Sequence, residues 1–195
     1  MADGGALCRS ETQHGQAGRR LTLANGDTLW LALQGAHVVS WQAAGRERLY
    51  VSPRNVWDGH SAIRGGVPVC FPQFNQRGSL PKHGFARNSV WTAGPATVQD
   101  AQVQQDFTLS WSAPTLALWQ SRFEARLRVA LAPGALTLTL TVHDNGNSGT
   151  GGDLVSVATS TSRASWCRNT RRRVSDLSPL VEFFTSGISK LSEAS

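Results

Sequence analysis

No window of 18 consecutive apolar residues occurs anywhere in the 195-residue chain, so no stretch is long enough to cross a bilayer as a helix. The first twenty residues, MADGGALCRSETQHGQAGRR, hold no apolar run and carry two acids, which argues against a secretory signal. Residues 1–18 are expected to be a flexible lead-in. Cysteine is scarce: Cys8, Cys70 and Cys167 are odd in number, far apart and form no CxxC pair. That excludes a disulfide framework and a thiolate zinc site, and it favours a reducing, cytoplasmic compartment. Charge is also sparse at 16%, against 40% hydrophobic residues, which describes one globular domain with a proper core. The net charge of +6 is spread along the chain, with thirteen Lys/Arg and nine acids before residue 150. A diffuse excess of this kind does not make a nucleic-acid footprint. Helical periodicity is absent as well.

What is present is alternation. Phe123, Ala125, Leu127, Val129 and Leu131 alternate with Glu124, Arg126, Arg128 and Ala130. After Pro133-Gly134, Leu136, Leu138, Leu140 and Val142 alternate with threonines. Two period-2 runs joined by a Pro-Gly turn predict an antiparallel hairpin with one buried and one wet face. Phe107, Leu109 and Trp111 form a shorter run of the same kind. Upstream, Asn25-Gly26-Asp27 between apolar segments predicts a type I′ hairpin turn. Further strands are expected over 29–33, 37–41 and 46–51, with one starting near Val90–Trp91 and a loop over Ser52–Asp58. The predicted class is all-β, a sandwich or barrel-like pair of sheets.

Residues 63–88, IRGGVPVCFPQFNQRGSLPKHGFARN, break this pattern. Glycines and prolines this dense cannot continue a ladder, so the chain must run as turns and extended loop. Val67, Val69, Phe71 and Phe74 would pin such a loop to a core. Arg64, Arg77, Lys82, Arg87 and His83 make it a place to hold an anion. Arg64 and Arg87 offer forked donors and Lys82 a point charge. Each has a bland alternative as a turn or solvated loop charge, and Arg77 is read that way. Gln73 fits either a pocket contact or a loop stabiliser. His37 and His143 are expected to be strand residues without a role, and His14 and His60 surface residues.

IRGGVPVCFPQF followed by LPKHGFARNSVW resembles the glucose-6-phosphate 1-epimerases, or hexose-6-phosphate mutarotases, of the aldose-1-epimerase superfamily. The segments GAHVVSW, LYVSPRNVWDG and LTLTVHDNGN extend the resemblance to about residues 19–147. It implies a galactose-mutarotase-like antiparallel β-sandwich, a cofactor-free isomerase without a metal, and a hexose 6-phosphate as its small-molecule partner. It implies substrate contacts from Arg64, Lys82, Arg87 and His83, to which Gln73 is added, and a monomer with no membrane or nucleic-acid partner.

The resemblance stops near Gly146. Relatives continue with an HTYF-type motif that supplies the principal acid/base histidine, and later with a catalytic glutamate. Here residues 148–195 hold sixteen Ser/Thr and the cluster Arg168–Arg173 instead. That tail is expected to be a divergent, poorly structured replacement, leaving the sandwich incomplete at its C-terminus. Of the main acid/base pair no member is present, and His83 is at most an auxiliary. Anomer exchange is accordingly expected to be impaired. The alternatives are a non-catalytic sugar-phosphate binding module and, less well supported, a basic nucleic-acid-associated protein using the Arg168–Arg173 cluster.

Overall fold

The alternation over 123–142 becomes a buried stripe. In the computed structural model, β8 (Phe123–Ala132) and β9 (Ala135–Asp144) pair antiparallel with Leu127 opposite Leu140, Val129 opposite Leu138 and Leu131 opposite Leu136. These six are buried, while Arg126 and Arg128 on the other face are exposed. Gly134, at φ +67, closes the two-residue turn. The structure describes residues 6–145 and, by their backbone, two strands beyond, at 155–161 and 169–171. Most of the tail therefore lies outside the described residues, as does Cys167.

The described strands form two antiparallel sheets. The first is a five-stranded meander of β1 (Leu7–Gln13), β2 (Gln16–Thr22), β3 (Thr28–Ala32), β4 (His37–Ala43) and β5 (Arg46–Glu47). The second holds β6 (Thr92–Gln99), β7 (Gln102–Ser110), β8, β9, β10 (Val155–Thr161) and β11 (Asn169–Arg171), in the order β11-β10-β9-β8-β7-β6. Leu21, Leu29, Leu31, Val38 and Trp41 of the first sheet share one core with Val103, Phe107, Phe123, Leu127 and Leu140 of the second. The fold is thus the expected sandwich, two inner faces interdigitated. Asp27 ties the sheets at one end, accepting from Ala44 N–H at 3.0 Å and Gly134 N–H at 2.7 Å.

Several local expectations are corrected. Residues 7–13, read as part of a flexible lead-in, form β1, paired along its length with β2. The turn that folds it back is His14-Gly15, both at positive φ (51 and 74), an unusual place for histidine and hence a weak signal. At Asn25-Gly26 only the glycine has positive φ, and Gly26 N–H bonds Leu23 O. That is a type I turn closed by a glycine bulge, not type I′. The strand expected over 46–51 shortens to Arg46–Glu47, because the Glu47 carboxylate binds the N–H groups of Trp41, Arg48 and Leu49 and curls the backbone there. Trp111 lies past the end of β7, 38% exposed, beneath the Arg122 guanidinium at 4.8 Å. One short helix, α1 (Ala113–Leu118), interrupts the β pattern; Ser112 and Thr115 form its capping box and a proline stands in its first turn.

Candidate functional site

The segment from Ile63 to Val90 docks on the first sheet through backbone contacts. Val67 exchanges two hydrogen bonds with Val38 of β4, at 2.8 and 3.3 Å. Gly66 N–H donates to Tyr50 O at 2.8 Å, and Ser52 N–H to Arg64 O at 2.9 Å. Gly65 and Gly66 have φ of +95 and +60. A Cβ on Gly65 would collide with Tyr50 O, and one on Gly66 with Val38 O and the His37 ring. Only paired glycines allow this approach of loop to sheet.

Arg64 is thereby set on a fixed backbone. Its N–H donates to Asn55 Oδ1 at 2.7 Å, and its carbonyl accepts from Asn55 Nδ2 at 3.2 Å. The next carbonyl, Gly65 O, accepts from His37 Nε2 at 2.8 Å, which fixes the proton of that imidazole on Nε2. Arg64 itself is exposed, and its guanidinium has no hydrogen bond or ion pair among the described residues.

The second arm is organised from inside. Gln73, 2% exposed, donates from Nε2 to Leu80 O (2.8 Å), Asn75 O (3.0 Å) and Pro81 O (3.3 Å), and accepts from Leu80 N–H at 3.0 Å. Of the two readings of Gln73 from sequence, pocket contact or loop stabiliser, these bonds are those of a loop stabiliser. Phe71 meets Phe85 at 6.2 Å, Trp119 at 5.5 Å and Phe123 at 5.1 Å between ring centroids, joining the loop to the core. His83, at φ +69, accepts Asn75 N–H on Nδ1 at 3.2 Å, and Cys70 Sγ lies 3.6 Å from the same nitrogen. Arg87 Nη2 donates to Lys82 O at 2.9 Å. Arg77 is more than a solvated charge, since it lies over the Phe74 ring at 5.5 Å.

Electrostatics follow burial. Desolvation, then the charges of Arg87 and Lys82, pull the His83 pKa below the ordinary histidine value. His37 is fully buried, and desolvation drives its pKa down to about 4, the Gly65 hydrogen bond opposing and the Arg87 charge assisting. Burial also lowers the Arg87 pKa, which the nearby Cys70 partly offsets. Both rings are therefore neutral near pH 7. The structure brings Lys82, His83 and Arg87 into one cluster, and Arg64 is held on the arm that His37 contacts through the Gly65 carbonyl, His37 also feeling the Arg87 charge.

His37 and Asn55 were not anticipated as site residues. His37 stands one place before the inward-facing Val38, so strand alternation alone turns it outward; its burial depends on the loop folding over β4. Among the described residues no group of three or more His, Cys, Asp or Glu could hold a metal ion, and no helix is long and apolar enough to cross a membrane. A groove of about 490 Å³ lies against the first sheet, lined by Gln13, His14, Arg20, Gln42 and Tyr50 among others. It includes none of the loop cations.

A two-sheet antiparallel sandwich with a cation-bearing loop folded over one sheet is the architecture of galactose-mutarotase-like proteins. The sequence profile of the aldose 1-epimerase family matches residues 19–150, and the chain belongs to that family. A protein of Cenchrus ciliaris described as a "putative glucose-6-phosphate 1-epimerase" is 40% identical over 124 residues, covering 60% of this chain and 38% of that one. One of Escherichia coli K12 with the same description is 45% identical over 96 residues, 47% of this chain and 32% of the relative. The chain thus spans about a third of the length of these curated relatives. The crystal structure of a Salmonella typhimurium protein titled "putative mutarotase (YeaD)" superposes with a TM-score of 0.63 at 27% identity, over 71% of this chain and 50% of that one.

Proposed function

We propose that the chain is a glucose-6-phosphate 1-epimerase-like protein that binds a hexose 6-phosphate, with Arg64, Lys82 and Arg87 taking the phosphate and His83 beside the sugar. Anomer exchange by acid/base ring opening, the reaction of such proteins, is weak in this chain. The observation that carries the first part is the set of cations itself: an exposed Arg64 on a clamped backbone, its guanidinium without a partner among the described residues, and a half-buried Arg87 that donates to Lys82 O. Guanidinium forks on a rigid frame suit a phosphate better than solvated lysines do.

The second part follows from proton bookkeeping. Opening the ring requires one group to protonate the ring oxygen while another takes the C1 hydroxyl proton. His83, with Nδ1 accepting from Asn75, presents an Nε2–H donor and not a ready base. The carboxylates of Glu11, Asp27, Glu47, Asp58 and Asp106 are each bonded to other partners among the described residues. A hexose phosphate is held inside cells by its charge, so the proposal carries a cytoplasmic location. The sugar-phosphate binding module is the limiting form of the same reading.

The test is NMR exchange spectroscopy of glucose 6-phosphate anomers, with calorimetric binding, on wild type and Arg64→Ala/Arg87→Ala. Binding that prefers glucose 6-phosphate over glucose and weakens at least about tenfold in the variant bears the reading out. Equal binding of glucose and its phosphate overturns it. Strong acceleration of anomer exchange, lost in the variant, overturns the second part only.

A further inference from the structure

Arg64 is held from two directions by residues that touch no solvent-facing part of its side chain. On one side the Asn55 carboxamide reads both the N–H and the carbonyl of Arg64, at 2.7 and 3.2 Å. On the other, His37 Nε2–H reaches up from β4 to Gly65 O at 2.8 Å. The two contacts bracket the peptide that joins Arg64 to Gly65. His37 is 0% exposed, and among the described residues its Nδ1 finds no partner, which leaves Nε2–H···O to account for an imidazole in this position. A buried polar ring with half its capacity unused costs stability compared with an apolar side chain of the same shape. Ala32, its cross-strand partner, belongs to a buried apolar cluster with Trp30 and Val39 of the first sheet and Ile63 of the loop. The sheet would pack there without a histidine.

We infer that His37 and Asn55 are positioning residues that together fix the Arg64–Gly65 peptide and so aim the Arg64 guanidinium at an oxyanion of the ligand. Fixing the backbone sets the Cα–Cβ direction from which the Arg64 side chain starts, so less of the chain has to be ordered when a ligand binds. Neither residue contacts the ligand in this scheme. Their effect is expressed only through Arg64. The inference rests on the reading of Arg64 as a phosphate contact, but the backbone clamp can be tested without it.

The experiment combines hydrogen exchange with a double-mutant cycle on the full chain, using His37→Phe, His37→Gln and Asn55→Ala, each with and without Arg64→Ala. Amide exchange at Gly66 and Val67 should accelerate in His37→Phe, and at Arg64 in Asn55→Ala, with β8 and β9 amides unchanged. Glucose 6-phosphate should bind about tenfold more weakly in either variant, while in the Arg64→Ala background the same substitutions should change affinity less than about twofold. His37→Gln, which keeps a side-chain N–H, should restore most of the affinity; a role in packing alone would not be rescued this way. Unchanged exchange at 64–67, or a loss that persists undiminished without Arg64, overturns the inference. If wild type binds no glucose 6-phosphate, the phosphate reading fails, and the exchange arm alone then decides whether the clamp exists.

Discussion

The β8–β9 hairpin and the 63–90 loop are ordered by opposite means. The hairpin spreads its stabilisation over ten cross-strand pairs and an apolar stripe from Phe123 to Val142, so polar side chains on its outer face are dispensable. The loop has few ladder contacts and concentrates its order in a handful of polar groups: the buried His37 on Gly65 and Gln73 on Leu80, and the half-buried Asn55 on Arg64. Redundant order tolerates surface change and fails when the core is hollowed. Concentrated order fails at single polar atoms, which is the price of an irregular backbone that can present cations.

The joint between the two regions is where a single substitution should cost most. Phe123 belongs to β8 yet its ring lies 5.1 Å from Phe71, 5.9 Å from Phe85 and 5.7 Å from Trp119. It is 1% exposed. Phe123→Ala should destabilise by about 3–5 kcal/mol in urea titration, cavity and lost ring contacts together. It should also loosen the loop. A loss confined to the sheet, with loop amides still protected, would show that the two regions are less coupled than the aromatic cluster implies.

Acid should separate them next. His37 titrates at about 4 when folded against an ordinary value of 6.5. Above about pH 6.5 the ring is neutral in both states and its contribution is intact. Between 6.5 and 4 the unfolded ring takes a proton that the folded one refuses, so stability falls with pH, by about 3 kcal/mol once protonation is complete. His83, also lowered, adds a contribution of the same sign. Asp27 and Glu11 are lowered too, and their losses come only below the ordinary carboxylate range. Stability measured at pH 7, 5.5 and 4.5 should therefore slope downward in wild type, and clearly less in His37→Phe. Equal slopes would mean that His37 is not the buried neutral ring described.

The two kinds of order also explain what the sequence made legible. Period-2 alternation reports a buried face directly, so β7, β8, β9 and the sandwich followed from Leu127, Leu138 and their neighbours. Gly65-Gly66 with Arg64, Lys82, His83 and Arg87 marked the loop, because such residues have few other uses at that density. Turns at His14-Gly15, Ala44-Gly45 and Asp100-Ala101 stayed hidden, since left-handed backbone is carried there by residues that seldom adopt it. β1 was hidden with the first of them. The roles of His37, Asn55 and Gln73 depend on which distant backbone atom each one meets, and no local pattern encodes that.

The smallest effects come from a matched pair of polar deletions, one in each region. Arg128 on the outer face of β8 forms a paired contact with Asp106, both bonds 3.0 Å, with the Arg128 side chain 49% exposed. Arg128→Leu removes one surface ion pair, worth about 0–1 kcal/mol. Gln73→Leu keeps the volume of a buried side chain but removes the partner of Leu80 N–H and a donor to the carbonyls of Asn75, Leu80 and Pro81, of which Asn75 O keeps His83 N–H and Pro81 O keeps Gly84 N–H. Losing these bonds should cost about 1–2 kcal/mol, water recovering part of it at the half-exposed Leu80 and the exposed Asn75 and Pro81. If the contrast between regions is right, Gln73→Leu exceeds Arg128→Leu in denaturant titration and alone weakens glucose 6-phosphate binding, by displacing Lys82 and His83. Equal costs would mean that the loop is held by its aromatic anchors alone, and that the polar scaffold inside it follows the fold without fixing it.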